Sequence, residues 1–159
     1  MIFWDTETTP TDIPGRPDSK LHLLRLGVAR SQRRDKGKGT RRDVLHYTDN
    51  QTFWEWFIAK LDKKRATYAF AHNIGFDLAV SGFWDLLDDG TFVLSQESSE
   101  PGSDGLQSSH KAWRGCFCDE DPPTIISVKH AVSGAKVTFL DSMNHYRHSL
   151  ASIGDKLGI

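Results

Sequence analysis

Short apolar runs predict four strands in the first half of the chain. They lie at Ile2–Asp5, Leu21–Ala29, Asp43–Tyr47 and Tyr68–Ala71. Residues that break regular structure follow the first run and predict a loop there, at Pro10, Pro14, Gly15 and Pro17. Two later runs, Thr124–His130 and Lys136–Asp141, predict a hairpin that turns at Ser133–Gly134.

Helical spacing of apolar residues predicts three helices between and after these runs. Asp49 or Asn50 is suited to cap the first, in which Phe53, Trp54, Phe57, Ile58 and Leu61 recur on one face. A second helix is predicted from about Phe76 to Leu87, with Asp77 on its first turn and facing the first strand. Ser149 begins a short third helix. The pattern indicates a mixed α/β domain.

A basic stretch separates the second and third runs and predicts a long hairpin with a cationic tip. Its charged residues are Arg30, Arg33, Arg34, Lys36, Lys38, Arg41 and Arg42. Such a tip can contact phosphates. It can equally be a solvated loop with no partner, and the sequence leaves both interpretations open.

The length of 159 residues predicts one domain spanning residues 1–159. The formal net charge of −1 gives no global signature of nucleic-acid binding, so any basic surface must be local. Cys116 and Cys118 are too close for an ordinary disulfide framework. No apolar run is long enough to cross a membrane or has the pattern of a signal peptide, so we expect a cytoplasmic protein (in the host cytoplasm if it is viral) with no membrane partner.

The first predicted strand leads directly into two carboxylates, Asp5 and Glu7. Side chains alternate along a strand with period two, so both carboxylates project from the same side. Neighbouring carboxylates repel unless a cation lies between them, and oxygen ligands favour Mg²⁺ or Mn²⁺. A lone Asp-x-Glu triplet is nevertheless more often a solvated strand end or a helix cap.

A second motif follows about seventy residues later. The strand at Tyr68–Ala71 runs into His-Asn-Ile-Gly-Phe-Asp, which ends in a third carboxylate, Asp77. Together the two motifs resemble the first two motifs of the DEDD 3′→5′ exonucleases. The His-Asn-x-x-Phe-Asp form is most similar to the proofreading domain of family B DNA polymerases, particularly the protein-primed phage and plasmid branch. The segment 137–142 is similar to the part of that domain after its second motif.

This resemblance implies a ribonuclease-H-like mixed sheet with flanking helices, truncated before the last catalytic helix. The chain would then be an exonuclease-like domain from the N-terminal part of a longer polymerase. The resemblance assigns Asp5, Glu7 and Asp77 as catalytic residues and metal ligands. The cofactor would be Mg²⁺ or Mn²⁺ in a two-metal site whose second position is doubtful here.

The same resemblance assigns residues that hold the substrate. Thr8, Asn73 and Phe76 match family positions that hold the 3′-terminal nucleotides, and Ser142 resembles a further single-strand ligand. The implied partners are the 3′ end of single-stranded DNA and the downstream polymerase domain. Ordinary alternatives are that Asn73 is a turn residue and Phe76 a core aromatic.

The fourth acidic residue of the family, an Asp in a late helix preceded by Tyr or His, has no counterpart in this sequence. Asp141, at the end of a predicted strand, is a weak substitute. We therefore expect weak or absent exonuclease activity from these 159 residues. The alternative functions are a non-catalytic nucleic-acid-binding module of the same fold and a stand-alone nuclease acting on RNA.

One further set of residues offers a candidate metal site. His110, Cys116 and Cys118 offer three zinc ligands, but a C-x-C spacing with one histidine is poor for a structural zinc site. Thiols exposed to solvent or packed in the core are the better interpretation.

Overall fold

The structure, a computed structural model, describes residues 1–35, 37, 39–95, 125–144 and 148–158. Its strands are β1 (Ile2–Ile13), β2 (Arg16–Asp35), β3 (Gly39–Tyr47), β4 (Thr67–Ala71), β5 (Phe92–Leu94), β6 (Ile125–His130) and β7 (Lys136–Asp141). Its helices are α1 (Asn50–Ala59), α2 (Ile74–Val80), α3 (Phe83–Asp88) and α4 (Leu150–Leu157), with a 3₁₀ turn at Ser142–Asn144.

The strands form one mixed sheet in the order β3-β2-β1-β4-β7-β6-β5. β4 runs parallel to β1 and to β7, whereas all other neighbours are antiparallel. The predicted mixed α/β class, with helices flanking the sheet, is therefore confirmed.

β1 and β2 form one long hairpin where the sequence predicted a loop. Their pairing continues from Ile2 opposite Ser31 to Ile13 opposite Arg16, across a tight turn at Pro14–Gly15. Gly15 has φ +77°, a conformation that glycine adopts without strain and that suits the position after proline in a turn. The prediction was wrong because Pro10 does not end β1. At this point β1 has a partner strand on one side only in the described part of the chain, and such an edge accommodates proline.

One face of the sheet carries the core. β1 buries Ile2, Trp4 and Thr6 and exposes the alternate residues. The Trp4 ring lies 6.0 Å from Phe53, 6.4 Å from Phe57 and 5.9 Å from Phe139, measured between centroids. α1 begins as predicted, because the Asp49 side chain accepts a hydrogen bond from the Thr52 backbone N–H at 2.7 Å.

The opposite face of the sheet is largely open among the described residues. Its apolar side chains are 38–52% exposed, at Phe3, Leu26, Val28, Val44 and Tyr68. Phe3 stacks on Phe70 across β1 and β4, with ring centroids 5.2 Å apart. Asp5 and Glu7 lie on this open face because they share the alternation of Phe3.

The single helix predicted from Phe76 to Leu87 is two helices. Ser81 and Gly82 separate α2 from α3, and Gly82 has φ +70°, which ends the regular helix. Trp54 donates its ring N–H to the Ser81 carbonyl at 2.7 Å, so the break is held against α1. Asp77 does lie in the first turn of α2, as predicted.

The other predicted elements after α1 are present. β4 matches the Tyr68–Ala71 run, and β6 and β7 form the predicted hairpin with Gly134 at φ +69°. α4 begins at Ser149, whose hydroxyl accepts from the Ser152 backbone N–H. β5 was not predicted, because three residues are too few to give a period.

The basic stretch does form the β2–β3 hairpin, but part of its charge is paired. Arg33 and Arg41 lie directly opposite one another, and both contact the Asp35 carboxylate, at 3.1 and 3.4 Å. Arg33 also contacts Asp62 at 3.1 Å. Lys36 and Lys38 lie outside the described residues. None of the helices described here is long and apolar enough to cross a membrane.

Candidate functional site

The candidate site lies where β1 and β4 part. These parallel strands pair only at Ile2–Ala69 and Phe3–Phe70, and β4 ends at Ala71. The chain then turns through His72 and Asn73 into α2. No described strand continues beside β1 after Phe3 on this side, so α2 approaches the backbone of Thr6 directly. We call this region the β1–β4 seam.

Asp77 is the most strongly perturbed group at the seam. It is 1% exposed, and one carboxylate oxygen accepts a hydrogen bond from the Thr6 hydroxyl at 2.6 Å. Burial raises the pKa of Asp77 to about 7, against the opposing effect of the Thr6 hydroxyl, and the negative charges of Asp5 and Asp141 raise it further. A bound cation would offset the free-energy cost of burying the Asp77 carboxylate beside other acidic groups.

Asp5 and Glu7 share one side of β1, as the period-two spacing predicted. Burial raises the pKa of Asp5 and the neighbouring charge of Glu7 raises it further, while the Thr6 backbone N–H and His72 oppose the shift. Asp77 reaches β1 from the helix-covered face, whereas Asp5 and Glu7 extend from the open face. Asp5 is coupled electrostatically to Glu7 on its own face and to Asp77 on the other, so the structure does not bring all three carboxylates together on one face of the sheet.

The donor set suits a hard divalent cation, because it consists of carboxylate oxygens. The described residues do not form a closed metal-binding group of three or more His, Cys, Asp or Glu side chains. Asp77 is engaged with Thr6, Glu7 is open to solvent, and Asp5 is exposed but partly desolvated by its surroundings. The site resembles a partial ligand set rather than a formed coordination shell.

Asp141 is committed to the backbone and does not complete this set. One oxygen accepts from the backbone N–H groups of Asn73 and Met143, at 3.0 and 2.8 Å, and the other accepts from Ile74 at 3.1 Å. Asp141 thereby supplies the negative cap that α2 lacks from its own N-cap residue, since the Asn73 side chain makes no capping bond. Its role is to fix the turn that delivers Asp77.

Asn73 has a backbone conformation that is unusual for its residue type. Its φ of 65° and ψ of 57° are left-handed, and it is the only described non-glycine residue with positive φ. Asparagine tolerates this region better than most residues. The Asn73 side chain is exposed beside the seam, where a ligand can reach it. Ser142 lies close by, and its hydroxyl is 3.1 Å from His72 Nδ1.

Thr8 and Phe76, two of the predicted strand-holding residues, are joined by His22. The Thr8 hydroxyl lies 2.9 Å from His22 Nδ1, and the His22 ring meets Phe76 edge-on, with centroids 5.4 Å apart. A β-bulge makes this possible: Glu7 pairs with Leu26 but Thr8 pairs with Leu24, so Arg25 is an extra residue. The bulge shifts the alternation of β2 and brings His22 to the side of Thr8. Sequence reasoning missed His22 because no motif marks it.

The motif resemblance predicts that Phe76 contacts the substrate strand. On that prediction, Phe76→Leu should weaken the binding of a short single-stranded oligonucleotide by about 1–3 kcal/mol, because it removes one face for base stacking but keeps apolar bulk. Fluorescence anisotropy with a labelled oligothymidine measures the change, and Phe76→Tyr, which keeps the ring, is the matched control. Wild-type affinity in the leucine variant would assign Phe76 to the core instead.

Tyr47 is a second residue that sequence reasoning missed. Its ring lies over Gly27, where a Cβ atom would come within 2.0–2.4 Å of the ring and hydroxyl atoms. Its hydroxyl is buried and has no hydrogen-bond partner among the described residues, and burial together with the charges of Asp77 and Asp5 raises its pKa. The sequence signal for this contact is Gly27 in β2, since a glycine within a strand often marks a place where another group approaches the backbone closely.

The remaining metal hypothesis, on His110, Cys116 and Cys118, falls outside the described residues. Comparisons of the chain with protein-family models, with curated proteins and with solved structures found no match.

Proposed function

We propose that this chain is a metal-dependent 3′→5′ exonuclease domain of ribonuclease-H-like fold that acts on single-stranded DNA ends, as the proofreading part of a family B DNA polymerase. The observation that carries the proposal is the buried carboxylate of Asp77 coupled to Asp5 at the open end of the seam. A carboxylate with so strong a desolvation penalty is typical of functional sites.

The architecture supports the fold assignment. Three leading antiparallel strands, a helix, a parallel fourth strand and a second helix occur in that order. The motif resemblance implies this succession. It also implies that the acidic residues of the first strand meet the residue that follows the fourth strand, and Asp77 does approach β1 at Thr6.

In this proposal Asp5, Glu7 and Asp77 would hold a divalent cation, Mg²⁺ or Mn²⁺. A bound cation lowers the pKa of an attacking water and neutralises charge that develops on the phosphate. Thr6 keeps the Asp77 carboxylate in place, and Asp141 fixes the turn before it. Thr8, His22 and Phe76, which are linked through His22, would hold the last nucleotides of a strand together with Asn73.

The second candidate function is a non-catalytic nucleic-acid-binding module. The observation that favours it is the engagement of Asp141, because the three hydrogen bonds that it accepts from described residues all come from backbone N–H groups. Asp141 is then not free to serve as a fourth ligand for a second cation. Experiments must therefore distinguish slow hydrolysis with one bound cation from nucleic-acid binding without hydrolysis.

The expected result with a 5′-labelled single-stranded oligonucleotide is slow, Mn²⁺-dependent shortening from the 3′ end by the purified protein. Glu7→Gln should abolish the shortening, because it removes one carboxylate ligand. Gel electrophoresis of the products over time measures it, and Glu55→Gln, on the exposed surface of α1, is the control with the same change in charge.

Calorimetric titration with Mn²⁺ separates the alternatives. Binding of Mn²⁺ without shortening would favour the non-catalytic module, and the absence of both would remove the site. Shortening that persists in Glu7→Gln would show that another group, or another protein, performs the reaction.

A further inference from the structure

Two adjoining depressions lie at the edge of the sheet where β1, β4 and β7 begin. The first has a volume of about 570 Å³, and its cationic residues are Arg33, Arg34, Arg41, Arg42, Lys60 and Arg65. The second has a volume of about 440 Å³, shares Arg65 and adds Lys63, Lys64, Lys129 and Lys136. We call the two depressions together the basic groove.

The charge of the basic groove is strongly one-sided. Ten Lys and Arg residues line it, and the acidic residues in its lining are Asp43 and Asp62. In a chain of net charge −1, this excess means that positive and negative charge are segregated on the surface. Four segments contribute the cations: β2, β3, the α1–β4 connection and the β6–β7 hairpin.

Ion pairs hold part of the groove in shape. Asp35 contacts Arg33, Arg41 and Arg65 at 3.1–3.5 Å, so one carboxylate positions three guanidinium groups. Lys60 pairs with Asp43. These contacts fix the guanidinium forks while their remaining N–H groups stay available, because the Arg33, Arg41 and Arg65 side chains are 49–76% exposed.

Two lysines of the second depression, Lys63 and Lys129, approach the same point, and neither has an acidic partner among the described residues. The Cε atoms of Lys63 and Lys129 lie 3.7 and 3.5 Å from the position of a Cβ built on Gly134. None of the described residues that line this depression is acidic, and none of its four lysines forms an ion pair there. Ammonium groups brought together in this way repel, and an anion between them would relieve the repulsion.

We propose that the basic groove binds the sugar–phosphate backbone of a nucleic-acid strand without reading its bases. Guanidinium forks match phosphate oxygens, and lysines add point charges along the path. The described lining contains no Trp, Tyr or Phe, so it lacks both platforms for stacked bases and the aromatic anchors typical of protein interfaces. Because the groove is concave, several of its cations would not contact a flat lipid surface.

The groove is separate from the β1–β4 seam. It lies at the strand starts, whereas Asp77 and Asp141 follow the strand ends, and the five residues of β4 between them span about 16 Å. The proposal therefore does not depend on metal binding or hydrolysis at the seam.

The test is the salt dependence of oligothymidine binding in EDTA, measured by fluorescence anisotropy. The variant carries Lys63→Gln, Lys64→Gln, Lys129→Gln and Lys136→Gln. The control has the same change in net charge at exposed positions outside the groove: Arg16→Gln, Lys20→Gln, Arg30→Gln and Lys156→Gln. Each lost phosphate contact should lower the slope of log K against log salt by about 0.7, so we expect a drop of about two to three units in the groove variant.

Equal slopes in the groove variant and the control would overturn the proposal, since they would show that the salt dependence follows only from the net charge of the protein. Tighter binding of polyglutamate than of oligothymidine at matched charge would also overturn it, in favour of an acidic protein segment. If the fourfold variant fails to fold, Arg34→Gln with Arg42→Gln tests the first depression, where we expect about half the drop in slope.

Discussion

Asp77→Asn is expected to stabilise the protein at pH 8 in the absence of divalent cations, and to remove its stabilisation by Mn²⁺. The native pKa of about 7 lies above the unfolded value near 4, so the native state binds more protons between these two pH values. The contribution of Asp77 to stability is complete below about pH 4 and is lost as pH rises through 7. Asparagine does not ionise, so the variant avoids this loss and should be more stable than the wild type by about 2–4 kcal/mol at pH 8.

Urea unfolding in EDTA at several pH values between 5 and 8 measures this effect. The wild type should lose stability relative to Asp77→Asn as pH rises. The control Asp88→Asn changes an exposed residue of α3, and its unfolding free energy should vary with pH as that of the wild type does. A wild type that gains stability over this range relative to Asp77→Asn would show that Asp77 is ionised and well solvated in the native state. Repeating the series with Mn²⁺ should reverse the order at pH 8, because the cation binds only the protein that keeps the carboxylate.

Asp141→Ala is expected to cost about 3–5 kcal/mol of unfolding free energy. The change leaves three backbone N–H groups without their acceptor, at Asn73, Ile74 and Met143. The Ile74 donor is buried and the other two are partly buried, and a buried donor without a partner costs about 1–3 kcal/mol. Chemical denaturation measures the loss. Asp89→Ala, which removes an exposed carboxylate that accepts from the Thr91 N–H, is the control and should cost much less.

The conservative variant separates two roles for Asp141. Asp141→Asn keeps one acceptor oxygen, so it should retain the fold with a smaller loss and keep the response to Mn²⁺. Near-normal stability together with a lost Mn²⁺ response would identify Asp141 as a metal ligand instead of the anchor of the turn.

Local signals in the sequence predicted most of the elements. Asp49 marked the start of α1, Ser149 the start of α4 and Gly134 the turn between β6 and β7. The order of the motifs also predicted that Asp77 would face β1. The element predictions succeeded because each depends on neighbours within a few residues or on the period of a strand or helix, whereas the approach of Asp77 to Thr6 was predicted from the order of the motifs.

The errors and omissions have non-local causes. The sequence predicts a loop from Pro10, but an unpaired edge of β1 accommodates this proline, and edges are known only once strand order is known. The bulge at Arg25 reverses the alternation of β2, so the approach of His22 to Phe76 was not predictable from spacing. The engagement of Asp141 with the backbone likewise depends on β7 lying beside β4.

The narrowness of the β1–β4 seam has a consequence for how the molecule assembles. A two-residue turn connects β1 and β2. Phe3 and Phe70, by contrast, are 67 positions apart in the sequence, and only two residue pairs join β1 to β4. Closing a long loop costs more chain entropy and delays the contacts that depend on it. We therefore expect the carboxylates at the seam to come together after the N-terminal hairpins have formed.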